Sequence, residues 1–307
     1  MTIRHTSQFL KLVRSSLRSL YHLTRRFPVA GSVVSRIYEI RTLKNQFYSE
    51  ICFLKGKRDT SDRYQSIVFF TIHKSASVYV GNMLKQLTTH AGMIAIDLDT
   101  YYFLSNTQED TMRTIDWSAT KRGYFFGPFR HYHPALPPLD EYKVILMVRD
   151  PRDVLTSLYF SHAYSHTIPS GTGAKAQSSL QIRNEALQHT IDEYVLKEAS
   201  TYFYRYREYA QKLLHKPNLL FVRYEDMVTD FEKWLDPIIT FLDVEVKKEM
   251  INQIMREANF KVERENVYVH KRQVDPGDHK RKLKTETIMQ LTAECADILE
   301  AYGYTKE

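Results

Sequence analysis

Four apolar runs constrain this chain more than anything else in it: "YQSIVFFTI" (64–72), "MIAIDL" (93–98), "KVILMV" (143–148) and "NLLFVRY" (218–224). A strand with one wet face alternates apolar and polar residues, and these runs are nearly continuous. That pattern suits parallel strands buried on both faces. Helical stretches separate the runs at 77–90, 153–164, 180–214 and 231–242. The alternation predicts an α/β fold, a central parallel β-sheet flanked by helices, with ligands received at the carboxyl ends of the strands. The 307 residues suffice for one large α/β domain or two small ones.

Two segments at those carboxyl ends carry chemistry. In "FFTIHKSASVYVGNMLKQL" (69–87) a buried strand enters a polar loop, and an amphipathic helix follows at once. At such a helix mouth, unpaired backbone N–H groups and the helix dipole favour an anion. Lys74 is placed to reach an anionic oxygen, Ser75 and Ser77 add hydroxyls, and Ser77 suits a helix cap. A triphosphate loop needs glycines before its lysine; only the Lys-Ser pair is present, so a triphosphate is disfavoured. A solvated lysine beside a capping serine explains the loop as simply, until the second segment is added.

That segment is "KVILMVRDPRDVLTSLYFSH" (143–162). Arg149 ends a buried strand and so emerges at the ligand edge. Pro151 fits a first helical turn, and Asp153 favours its positive end. Ser157 follows one to two turns into the helix, where it and Arg149 can grip one phosphate by hydroxyl and by charge. A structural salt bridge from Arg149 to Asp150 or Asp153 is the plainer alternative.

Together the two segments resemble the sulfotransferases that use 3′-phosphoadenosine 5′-phosphosulfate (PAPS) and release 3′-phosphoadenosine 5′-phosphate (PAP). "HKSASVY" is similar to the family's "PKSGTxW" loop, and "RDPRDVLTSLY" to its "RNPKDVxVSxY" segment. "FVRYEDMVTDFEKWLDPIITFLDVEV" (221–246) resembles the "YEDM" strand-to-helix segment, and "KRQVDPGDHKRKL" (271–283) the C-terminal "RKGxxGDWK" loop. The four motifs stand in order across roughly residues 64–300. The resemblance implies a P-loop NTPase-like sulfotransferase fold and transfer of a sulfuryl group from PAPS to a hydroxyl or amine by in-line displacement. It implies that Lys74 contacts the bridging oxygen and neutralises the departing 5′-phosphate. Ser75, Ala76, Ser77 and Val78 would donate backbone N–H groups, and Ser77 its hydroxyl. Arg149 and Ser157 would bind the 3′-phosphate, Tyr224 would approach the adenine, and Arg272, with Gln273 and Val274, would close over the 3′-phosphate. Gly277, Asp278 and Lys280 complete the loop's likeness.

This sequence departs from the family pattern at several positions. Ala76 replaces a glycine and is strained if the loop needs positive φ there. Tyr79 stands for a tryptophan, Gln273 and Val274 for Lys-Gly, and His279 for a tryptophan. The general base falls in "GYFFGPFRHYHPALPP" (123–138), which also holds Arg130. His133 is preferred because "HP" mimics the family's "HLP", with His131 next and a carboxylate still open; histidine titrates near neutrality. No carboxylate cluster demands Mg²⁺, and positioned cations suffice for a sulfuryl group, so no metal is required.

Composition bounds partners loosely. The net charge of +7 fits a polyanionic ligand, nucleic acid or an acidic membrane. The 21 Tyr and 16 Phe are spread through strands and helices, which favours core packing over a nucleic-acid surface, so no specific nucleic acid is expected. A nucleotide or small-molecule kinase is the other rival, and it lacks a convincing triphosphate loop. Two distant cysteines, Cys52 and Cys295, point to a reducing, cytoplasmic setting. No apolar run approaches the roughly 18 residues of a spanning helix.

Residues 1–63 read as a basic, helical N-terminal extension and 64–307 as the sulfotransferase domain. Leu10, Val13, Leu17 and Leu20 form a helical stripe with Lys11, Arg14, Arg18 and Arg25 turned away. That stripe suits docking on the main domain, peripheral membrane contact or a targeting presequence. "SHTIPSGTGAKAQSS" (165–179) reads as a gating loop or a disordered one. Tyr101, Tyr102, Phe103, Trp117 and Phe125 line either a cleft for a small-molecule or glycan acceptor, or the core.

Overall fold

The computed structural model describes residues 42, 44–57, 63–105, 109–166, 174–258, 260–269 and 271–306. The stripe at 10–20 and most of the N-terminal extension therefore lie outside the described residues. Contacts divide the chain into two units, 1–58 with 100–109 and 59–99 with 110–307. In the first, α1 (Tyr48–Leu54) buries Phe53, and the rings of Phe47 and Tyr101 pack edge to face at 5.5 Å. Residues 100–105, with Tyr102 and Phe103, also belong to the first unit; the sheet, its loops and the helices from 110 onward belong to the second.

Its sheet has five parallel strands: β1 (Ile67–Thr71), β2 (Ile94–Ile96), β3 (Tyr124–Phe129), β4 (Lys143–Val148) and β5 (Leu219–Arg223), in the order β2-β3-β1-β4-β5. All five residues of β1 are buried, as a continuous apolar run in the middle of a two-sided sheet must be. The helices of the chain include α2 (Ser77–His90), α3 (Leu98–Ser105), α4 (Pro151–Phe160), α5 (Ala174–Gln188) and α6 (Ile191–Leu213). Then come α7 (Tyr224–Thr229), α8 (Phe231–Leu242), α9 (Lys248–Glu257), α10 (Asp278–Lys282), α11 (Thr285–Glu294) and α12 (Ala296–Tyr302). One core joins Ile67, Phe69, Ile145 and Met147 of the sheet to Val80, Leu84 and Leu87 of α2 and to Trp234, Leu235 and Ile238 of α8. Each such buried side chain contributes about 1.5–3 kcal/mol.

Four strands fall where the apolar runs predict them; β3 is an addition. It runs through "YFFGPF", where a proline argues against a central strand because it lacks an N–H for the ladder. The ladder resolves the conflict with a bulge. Val68 pairs with Phe126 but Phe70 with Phe129, so β3 carries one residue more than β1 between those pairs. Gly127 sits there at φ 132° with a cis bond to Pro128, and a Cβ on it would lie 2.6 Å from the Phe69 carbonyl oxygen. Only glycine fits.

Two helix boundaries also differ from expectation. The stretch 180–214 is two helices, divided where Thr190 caps α6 and exchanges bonds with Glu193 in a capping box. The stretch 153–164 is α4 followed by a π-helical turn, Ser161–Ser165. Of the expected loop at 165–179, residues 174–179 are helical, and 167–173 lie outside the described residues. Phe125 belongs to the core and Tyr102 is buried, while Phe103 is 62% exposed.

Strand order decides where a ligand goes. From β1 the chain runs to β2 and β3 on one side and to β4 and β5 on the other. The crevice of a doubly wound sheet opens at that reversal, beyond the carboxyl ends of β1 and β4. The loops after these two strands carry Lys74 and Arg149.

Candidate functional site

The loop Ile72–Ala76 folds so that its amides are left over. Ser75 N–H donates to Ile72 O at 3.3 Å, and Lys74 and Ala76 both take positive φ, 68° and 55°. Alternation of this kind turns successive N–H groups into a concavity for an anion. Among the described residues no acceptor takes the N–H groups of Ala76, Ser77 or Val78, and the buried Ser75 Oγ has no partner either. Ala76 is the residue just before α2, and its left-handed conformation is the strain anticipated for alanine at a glycine position.

Arg149 closes the far side. Its Nη1–H donates to the Lys74 carbonyl at 3.2 Å, so the two cation-bearing loops meet directly. The guanidinium lies 4.4 Å from the centre of the Tyr224 ring and 3.5 Å from Asp153, yet its buried Nε–H has no partner. The Asp153 salt bridge offered as the plainer reading of Arg149 is therefore present, and it leaves a donor over. Asp150 binds Arg152 instead, at 2.7 Å.

Asp153 is the hub that the sequence reading undervalued. Its Oδ2 accepts from Gly277 N–H at 2.8 Å; its Oδ1 accepts from the main-chain N–H of His279 at 2.9 Å and from the ring Nδ1–H at 2.6 Å. These bonds and Arg149 hold its carboxyl well below the usual carboxylate range although burial opposes them. His279, standing for the family's tryptophan, thus ties the C-terminal loop to α4.

Asp153, Ser157 and Phe160 lie at i, i+4 and i+7, one face of α4. At its start stands Arg149; at its end the Arg272 guanidinium lies 4.0 Å over the Phe160 ring, ion-paired to Glu265 and Asp278. Half-buried Ser157 occupies the face between these two arginines. Gln273 is turned inward, its Oε1 accepting from the N–H groups of Val274 and Asp275 at 2.8 and 3.2 Å. The Val274 carbonyl accepts from Tyr224 Oη at 2.8 Å, a second tie between the loop and the strand ends. Gly277 and Asp278 belong to the same ties; Lys280 lies beyond them on α10.

Among the described residues Lys74 has no carboxylate partner. Burial, then Arg149 and Arg272, lower its pKa to about 8, so all three cations share one field. An unpaired ammonium, unused amides and two orphaned buried donors fit an anionic ligand and fit little else.

Beyond Lys74 lies a second group of residues, at the ends of β1 and β3. Arg130 donates its main-chain N–H to Asp99 at 2.9 Å and its Nε–H to Ser77 Oγ at 3.3 Å. His131 Nδ1 stands 4.0 Å from Asp99 Oδ1. Buried His133 accepts the Ala135 N–H on Nδ1 at 3.1 Å, which places the proton of the neutral ring on Nε2. His162, in the π-turn, bonds Tyr194 Oη at 2.6 Å; burial and its neighbours His166 and Lys74 lower its pKa to about 4. Across the top runs α6. Tyr206 Oη donates to Arg149 O at 2.5 Å, and Tyr209 Oη to Thr71 O and Phe129 O at 3.1 and 3.2 Å. Sequence reading missed the tyrosines of α6, which meet the strand ends from a distant part of the chain, and His162, whose bond to Tyr194 spans 32 positions.

A family model described as the sulfotransferase domain matches residues 46–290. No curated protein gives a significant match. Among solved structures the chain is similar to mouse sulfotransferase SULT7A1 complexed with PAP, at 16% identity and a TM-score of 0.51, over 82% of this chain and 94% of that one. It is also similar to retinol dehydratase in complex with androsterone and the inactive cofactor PAP, at 17% identity and a TM-score of 0.49, over 76% of this chain and 80% of that one. At 16% identity the likeness to the first of these is one of fold. With four fifths of its length matched by the family model, the chain belongs to the sulfotransferase-domain family of enzymes.

Proposed function

We propose that this sulfotransferase takes its sulfuryl group from PAPS and transfers it to a hydroxyl or amine of a small molecule or glycan. The observation that carries the reading is the meeting of Arg149 and Lys74 at 3.2 Å across the β1–β4 crevice, with Arg149 Nε and Ser75 Oγ still unpartnered. Bound PAPS supplies the activated sulfuryl group and a 5′-phosphate that leaves. The residues do the rest. Lys74 and the N–H groups of Ala76, Ser77 and Val78 bind the 5′ end and stabilise the charge that grows there. Arg149, Ser157 and Arg272, with Gln273 and Val274 beside Arg272, hold the 3′-phosphate along one face of α4, and Tyr224 approaches the base.

For the proton on the acceptor we prefer His131 over His133. A base needs an unprotonated nitrogen facing its target, and in neutral His133 the unprotonated Nδ1 already accepts from Ala135. His131 has Asp99 on its Nδ1 side, 4.0 Å away, the kind of carboxylate partner that orients a basic imidazole.

Sulfuryl transfer from labelled PAPS to a panel of phenols, alcohols, glycans and amines tests the reading. Lys74→Ala should lower turnover about 10²–10³-fold without loss of fold, as removal of a transition-state donor does. His131→Ala should cost at least about 10²-fold and more than His133→Ala. Normal transfer by purified Lys74→Ala would refute the role given to that residue.

A further inference from the structure

Tyr202, Arg205 and Tyr209 share one face of α6, at i, i+3 and i+7. That face runs along the ligand edge, since Tyr209 bonds the last carbonyls of β1 and β3. Arg205 is half-buried there. Its Nη1–H donates to His73 Nδ1 at 3.1 Å, and its guanidinium stands 5.0 Å from the centre of the Tyr202 ring. Among the described residues it has no carboxylate partner. A guanidinium carries five donors, and one is used.

Asp99 and Glu208 act on the neighbouring Tyr209, and Glu198 on Tyr202, but among the described residues none of the three is ion-paired to Arg205. His73 directly precedes Lys74, and burial first, then Arg130, Arg205 and Lys74, push it well towards its neutral form. Asp99 is already engaged by Arg130 and faces His131. Lys74 and the loop amides account for the donor's 5′ end, which leaves Arg205 without an anion of its own. A partly desolvated cation in that position is unfavourable until an anion joins it.

We propose that Arg205 receives an anionic group of the acceptor, a carboxylate or a sulfate, and so makes the enzyme selective for acidic acceptors. The inference rests on the sulfuryl-transfer reading and names the substrate class of that site. Tyr202 and His73 fix the guanidinium against the residue that precedes Lys74, and we take the anion and the reacting hydroxyl to belong to one small molecule or one sugar residue.

Two matched pairs of probes test it: 4-hydroxyphenylacetate against its amide, and methyl glucuronide against methyl glucoside. Each is titrated into PAP-saturated protein by calorimetry and assayed as an acceptor with labelled PAPS. Wild type should favour the acid of at least one pair by tenfold or more. Arg205→Ala should erase that preference, weakening the acid by about 10–100-fold, as loss of a charged hydrogen bond does. Arg205→Lys should restore part of it, and neither variant should change PAP affinity. Equal binding within both pairs, no binding of either acid, or an unaltered preference in Arg205→Ala would overturn the proposal. So would weaker PAP binding by Arg205→Ala, which would assign Arg205 to the donor. If wild type binds no PAP, the sulfuryl-donor reading falls as well; PAP binding without acid preference removes this inference alone.

Discussion

Two residues of the anion loop make opposite demands on its chemistry. Lys74 must be charged to bind an anion, yet burial and two arginines lower its pKa to about 8. A bound 5′-phosphate reverses that field, so the pKa in the complex lies higher. PAP affinity should therefore hold below about pH 8 and fall by up to tenfold per pH unit above it, with proton uptake on binding. Calorimetry at pH 8–9 in buffers of different ionisation enthalpy measures both; pH-independent affinity would contradict the assignment. Ala76 supplies the other demand, a left-handed backbone that costs an L-residue roughly 1–2 kcal/mol. Against the entropy glycine loses on folding, Ala76→Gly should still stabilise by up to about 1 kcal/mol, read from urea unfolding. At this scale the site was legible where its residues are neighbours in sequence. Lys74 with Ser77, and Arg149 with Ser157, sit in strand–loop–helix segments whose geometry a short quotation contains. Arg205 was not legible. It donates to a histidine 132 positions away, and no local pattern carries that contact.

Among the elements, α4 does most to assemble the site. Its first turn holds Asp153, which gathers Arg149, Gly277 and His279, and its last turn supplies the ring beneath Arg272. Asp153→Asn should cost about 3–5 kcal/mol, because it leaves the buried Arg149 uncompensated and loosens the C-terminal loop. The sign with pH follows from the depressed carboxyl. Asp153 contributes above its unfolded value near 3.9 and loses that contribution as pH falls through the lower folded value. Urea unfolding at pH 7 and below pH 4 should accordingly show the gap between wild type and Asp153→Asn shrinking in acid; a constant gap would contradict the hub. Elements were legible where periodicity acts alone. β1, β4, α2 and α8 fall where their apolar patterns put them. β3 was hidden, because a Gly-Pro pair inside an apolar run signals a turn, and only pairing with β1 shows that a bulge absorbs it. The break between α5 and α6 was marked by Thr190 and Glu193, a capping signal weaker to the eye than the apolar run across it.

For the molecule as a whole, strand order brings two motifs, 75 residues apart, to one crevice. The proposed function requires one adenosine bearing two phosphates to lie between them, its 3′-phosphate on Arg149 and its 5′ end on Lys74. Calorimetric titration of PAP and of adenosine 5′-phosphate into wild type and Arg149→Ala tests that claim most directly. Wild type should bind PAP at least about tenfold more tightly than the nucleotide lacking the 3′-phosphate, and Arg149→Ala should abolish most of the difference, since a charged hydrogen bond is worth about 1.5–3 kcal/mol. An unchanged preference in Arg149→Ala, or no preference in wild type, would contradict the account.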